Sequence, residues 1–96
     1  MGTSKSTLPS FLDLPICNNI FKEFRDNILR IKRNLTYKTN CENPILGNIL
    51  KVLYHFQLEN LCTQMKFHKD NYDISLEQYH ILSFNCKHLI ETFPIT

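Results

Sequence analysis

The feature that most constrains this chain is an apolar pattern recurring in steps of three and four residues, broken only at two polar stretches. Ile16, Cys17, Ile20, Phe21, Phe24, Ile28, Ile31 and Leu35 form one such stripe. Ile45, Leu46, Ile49, Leu50, Leu53, Phe56, Leu61, Cys62 and Met65 form a second, and Leu76, Tyr79, Leu82, Ser83, Cys86, Leu89, Ile90 and Phe93 a third. That period places apolar side chains on one side of an α-helix, which must then be buried against another element. No segment alternates as a strand would. The pattern predicts an all-α fold, a small bundle of three main helices over about 13–35, 44–68 and 75–93. A flexible N-terminal arm over 1–10 precedes a single helical domain over 11–96.

The breaks carry matching start and stop signals. Asp13 with Pro15 suits the first helix start, and Asn43-Pro44 sets an N-cap with proline at the first helical position. Ser75-Leu76-Glu77-Gln78 has the spacing of a capping box, and Pro94 ends the third helix. Thr36, Tyr37 and Thr39 lower helix propensity, so the first helix should fade after Leu35. The second stripe covers much of its helix circumference, which predicts a central helix packed on two sides. At 96 residues the chain is one domain with an adequate but marginal core.

The first residues, Met1-Gly2-Thr3-Ser4-Lys5-Ser6, fit the pattern for N-myristoylation at Gly2 once the initiator Met is removed. Only glycine leaves room at Cα for acyl transfer to its amine. Gly2-Thr3-Ser4-Lys5-Ser6 resembles the lipidated start of Src-type kinases and of recoverin-like calcium sensors. The resemblance covers about six residues and implies lipidation, since no kinase motif or calcium loop follows.

Charge is unevenly spread. Residues 1–40 hold seven basic side chains (Lys5, Lys22, Arg25, Arg30, Lys32, Arg33, Lys38) and three acidic ones (Asp13, Glu23, Asp26), a balance of +4; the remainder is −2, for the overall +2. On the first helix Lys22, Arg25, Arg30, Lys32 and Arg33 span an arc away from the apolar stripe, denser toward the C-terminus, where cations complement the helix dipole. With Lys5 they make a membrane-binding basic face. One myristoyl chain binds membranes with K of about 10⁴ M⁻¹. Each cation near an anionic leaflet adds roughly 1 kcal/mol, so two or three raise binding on the order of 30- to 100-fold. A basic, myristoylated helical domain of this size is similar in plan to retroviral matrix domains. That similarity is one of architecture, without a shared internal motif and without the tryptophans common in matrix domains.

The expected function is therefore a non-enzymatic, membrane-peripheral interaction module, cytoplasmic at the inner membrane face, with an anionic membrane surface as partner. No apolar run reaches the ~20 residues of a membrane span, and the first 15 residues lack the features of a secretory signal. No catalytic signature, phosphate loop or nucleotide fingerprint is present, and no cofactor is implied. Nucleic acid is unlikely as a partner at this charge and without a recognition motif. A metal set drawn from His80, Cys86 and His88 with Cys62 or His68 fails on spacing, because Cys86 and His88 diverge by about 200° on a helix. No metal is expected.

Four cysteines, Cys17, Cys41, Cys62 and Cys86, are compatible with free thiols or two disulfides. Cys17, Cys62 and Cys86 fall on apolar stripes, which favours reduced core thiols. Asn34-Leu35-Thr36 is an N-glycosylation pattern at Asn34, relevant only to a secreted chain. With the cysteines it sustains an alternative, a secreted disulfide-linked helical cytokine-like ligand. A cytosolic helical protein-interaction domain with no membrane role is the third reading.

Overall fold

A computed structural model describes residues 18–38 and 43–96. Three helices follow one another: α1 (Asn19–Lys38), α2 (Pro44–Asp70) and α3 (Leu76–Thr92). Each packs on the other two, α2 most extensively. Among the described residues there is no strand, so the all-α bundle expected from the stripes is the fold.

Local chemistry sets the helix ends. The Asn18 carboxamide oxygen accepts from the Ile20 and Phe21 backbone amides at 2.9 and 3.3 Å, and its amide donates to the Asp73 carbonyl at 2.6 Å. Asn18 thus starts α1 and ties it to the α2–α3 turn. The cap expected at Asp13 lies outside the described residues, as does the arm over 1–10. Asn43 accepts from the Ile45 and Leu46 amides, with Pro44 first in the helix. Ser75 and Gln78 form the reciprocal capping box, both bonds at 3.0 Å.

Three boundaries differ from the sequence expectation, the first being the start of α1, at Asn19 behind its Asn18 cap and not near residue 13. α1 continues past Leu35 to Lys38. The Thr36 hydroxyl donates to the Lys32 carbonyl at 2.8 Å, so the residue expected to weaken the helix bonds within it. α2 runs on to Asp70 and ends at Asn71, whose backbone amide bonds back to Phe67 and Lys69 carbonyls. The next residue, Tyr72, takes φ 62° and is almost wholly exposed. This left-handed position is the one a glycine would fill at a helix end.

The core is one cluster. Phe21, Phe24, Ile28, Ile31 and Leu35 enter it from α1, Tyr54, Leu58, Leu61 and Met65 from α2, and Ile81, Leu82, Cys86 and Leu89 from α3, with Ile74 closing the turn. The α1 stripe is buried where the periodicity placed it. On α2 the inward positions of the first half are Gly47, Tyr54 and Leu58, not Ile45, Leu46, Ile49, Leu53 and Phe56, all of which are exposed. The expectation that α2 is covered on two sides holds for its contacts with α1 and α3, but its third side faces solvent. Two neighbouring helices can cover only part of a helix circumference.

Truncating Leu58 to alanine should cost about 2–5 kcal/mol in urea unfolding, whereas Phe56→Ala should stay within about 0.5 kcal/mol. Tyr72→Gly should stabilise the fold by roughly 0.5–1 kcal/mol, because glycine takes a positive φ without steric cost. A lower urea midpoint for Tyr72→Gly would show that the Tyr72 ring contributes more than its backbone costs.

Candidate functional site

The outward side of α2 is the most prominent chemical feature of the surface. Ile45, Ile49, Val52, Leu53 and Phe56 follow one another along the first half of the helix, and all are exposed, Ile45 and Phe56 by 72% and 73%. Scattered exposed apolar residues are ordinary on a soluble protein, whereas a contiguous stripe marks a surface built for contact. Leu46 extends the stripe on its α1 side.

The helix-one cations are engaged unevenly. Asp26 engages two of them: Lys22 at 3.0 Å and Arg25 at 3.0 Å. The Lys22 hydrogen bond, followed by that of Arg25, holds the Asp26 carboxyl below its ordinary range. Arg25 is largely covered as well. The N-terminal part of the arc is thus close to neutral, with Glu23 adjacent in sequence. Arg30 donates to the Asn27 side-chain carboxamide oxygen at 3.1 Å and borders a groove with Gln57 and Asn60. Asn60 also borders a separate recess with Phe56, Glu59 and Thr63. Lys32 and Arg33, both exposed, line a different recess with Leu29, Thr36 and Tyr37. Gly2 and Lys5 lie outside the described residues.

Asn34 sits within α1 and is half-buried, while the Thr36 hydroxyl of its glycosylation pattern bonds to the Lys32 carbonyl. His80 and His88 are exposed and Cys86 is fully buried, so the three are not brought together. His68 pairs instead with Asp73 at 2.8 Å and meets the edge of Phe24. No group of three or more metal-ligating side chains among the described residues is placed to hold an ion. Among these residues, no helix is long and apolar enough to cross a membrane.

Cys62 and Cys86 are free thiols, and they face each other across the α2–α3 seam. Cys86 is buried and Cys62 half-exposed at the edge of the core. A hydrogen bond from Cys86 lowers the Cys62 thiol to about 7; Lys87 assists, while partial burial and Glu59 oppose. The same bond, with burial, pushes Cys86 far up. Single-sequence reasoning assigned both residues to apolar stripes but had no means of pairing them. Cys17 and Cys41 lie outside the described residues.

An open groove of about 640 Å³ runs along the outer side of α3, lined by Leu76, Glu77, His80, Ile81, Ser83, Phe84 and Lys87. Four polar or charged side chains, Glu77, His80, Ser83 and Lys87, line it beside the apolar ones. Comparison with known proteins finds no family model, no curated protein and no solved structure that matches this chain.

Alkylation of Cys62 by iodoacetamide should accelerate through a midpoint near pH 7, since the thiolate is the nucleophile. Cys86→Ala removes the hydrogen bond that favours that thiolate, so the midpoint should move up toward the ordinary thiol range. An unchanged midpoint would assign the lowering to Lys87 instead.

Proposed function

We propose that this chain is a non-enzymatic, membrane-peripheral interaction module whose partner is an anionic lipid surface. The observation that carries the reading is the exposed stripe Ile45, Ile49, Val52, Leu53 and Phe56 on α2. Such a stripe buries its side chains at the boundary between headgroups and acyl chains, with flanking cations left at headgroup level. The segment 44–58 holds one charged residue, Lys51, so little charge must be desolvated on contact. Lys32 and Arg33, on their own flank, add longer-range attraction to anionic lipid.

Myristoylation at Gly2 supplies the other half of the reading. An acyl chain alone holds a protein marginally, and a second, independent contact converts that into stable attachment. The plan is that of a viral matrix-like domain, in which a small helical body sits on the inner leaflet. The role rests on surface chemistry alone and requires no catalytic group or cofactor.

A second reading, a secreted disulfide-linked helical ligand, is favoured by Cys62 facing Cys86 across two helices. In that setting the α2 stripe would meet a receptor.

Vesicle flotation separates the readings. Chain made in a eukaryotic cell should carry myristate at Gly2 by mass spectrometry and float with phosphatidylserine-containing vesicles. Ile49→Asp with Phe56→Asp should abolish flotation of the unacylated chain. Reversing Arg30, Lys32 and Arg33 to Glu should weaken it by at least about tenfold at low salt. An unmodified Gly2, together with flotation indifferent to both sets of changes, would sink the membrane reading and leave the secreted one.

A further inference from the structure

The α2–α3 seam has a simple register. His55 Nε2 meets the Phe93 carbonyl at 2.6 Å, and the Lys69 ammonium lies 4.7 Å from the centre of the Tyr79 ring. Both pairs are symmetric about Ile74 in the turn, 19 and 5 residues out on either side, and Cys62 with Cys86 is symmetric at 12. On each helix the three positions are seven residues apart, as in an antiparallel heptad seam. Two independent contacts, one heptad above and one below, thus place Cys62 opposite Cys86. The mutual influence of the two thiols agrees with that register. Packed helices run roughly 8–10 Å apart, and facing seam positions then come within the roughly 4.4–6.8 Å between Cα atoms that a disulfide spans.

We propose that Cys62 and Cys86 form a redox-active dithiol that closes to a disulfide joining α2 to α3, with Cys62 as the entry thiol and Cys86 as the resolving thiol. The oxidant is a small disulfide of the glutathione class. Half-exposed Cys62 loses its proton to water and attacks one sulfur of the oxidant. The oxidant's S–S bond breaks, its other sulfur leaves as a thiolate that takes a proton from water, and a mixed disulfide forms on Cys62. Cys86 then attacks the Cys62 sulfur, and its proton leaves with the second glutathione thiol. Two protein thiols are oxidised and one disulfide is reduced to two thiols.

The division of labour follows from the surroundings. Thiolate character and access favour attack at Cys62, helped by the Lys87 charge. Cys86 is fully buried against the core, shielded from outside oxidants but at the same level of the seam as the sulfur it must attack. Closure needs little movement, because the seam is already in register. The linked loop spans residues 62–86, long enough for a cross-link to restrict the unfolded chain substantially. This inference does not rest on the membrane reading, since it concerns the bundle interior and not its outer side.

The test uses the full chain with Cys17→Ser and Cys41→Ser, leaving only the seam pair. Exposure to oxidised glutathione should remove both thiols from maleimide labelling, yield a peptide joining 62 to 86, and raise Tm by on the order of 10 °C. Cys86→Ala in the same background should stop at a glutathione adduct on Cys62. A folded two-cysteine chain that keeps both thiols, or halts at the adduct with Cys86 present, overturns the proposal. In the four-cysteine chain, the 62–86 link should form before any link to Cys17 or Cys41, and a preference for those would also overturn it. The peptide map of the two-cysteine chain decides the matter even where Cys86→Ala fails to fold.

Discussion

Everything in this bundle depends on α2 being buried along one side by both neighbours at once. Leu58 and Met65 are fully enclosed, and they meet Phe21, Ile28 and Leu35 of α1 as well as Leu82 and Cys86 of α3 in one apolar cluster. No buried side chain among the described residues is polar or charged, so the core is held by burial and close packing and not by a polar network. A three-helix body of this size has few interior positions. Each enclosed side chain therefore carries a large share of a stability that is small in total.

That same geometry creates the surface on which function is proposed. With α1 and α3 on one side, the far side of α2 has no described element to pack against. The residues there are nonetheless apolar: Ile45, Ile49, Val52, Leu53 and Phe56. A chain that needed only to fold could have polar residues at these positions. Apolar residues retained at solvent-facing positions are a cost in water, which is why they are read as a contact surface. Among the cations of α1, Lys22 and Arg25 engage Asp26, while Arg30 shares a groove with Gln57 and Asn60 of α2. The charge of the first helix thus acts locally at its C-terminal end.

The α2–α3 seam shows how a regular register can hold unlike chemistry. His55 with the Phe93 carbonyl, Cys62 with Cys86 and Lys69 with Tyr79 occupy equivalent levels on the same ladder. The outer two are polar contacts near solvent, and for the carbonyl of Phe93 to accept, His55 carries its proton on Nε2. The middle level is sulfur on sulfur beside the core, where a thiolate is stabilised by a neighbouring S–H and a covalent link lies within reach. The turn at Ile74, fixed by the Ser75–Gln78 capping box, sets this register.

The sequence by itself determined the number of helices, their class and most of their limits. Those follow from local physics: apolar spacing on α1, Asn43-Pro44 before α2, and the reciprocal Ser75–Gln78 bonds before α3. It also marked Cys62 and Cys86 as lying on apolar stripes. Tertiary structure decided which side of α2 is inward, because a helix apolar over most of its circumference offers several equivalent faces and only its neighbours choose among them. It likewise decided that Tyr54 and Leu58 enter the core while Phe56 does not. It divided the cations of α1 between Asp26, the α2 groove and the Tyr37 recess. And it set Cys62 opposite Cys86, since residues 24 apart in a chain are neighbours only when two helices fold back in that register.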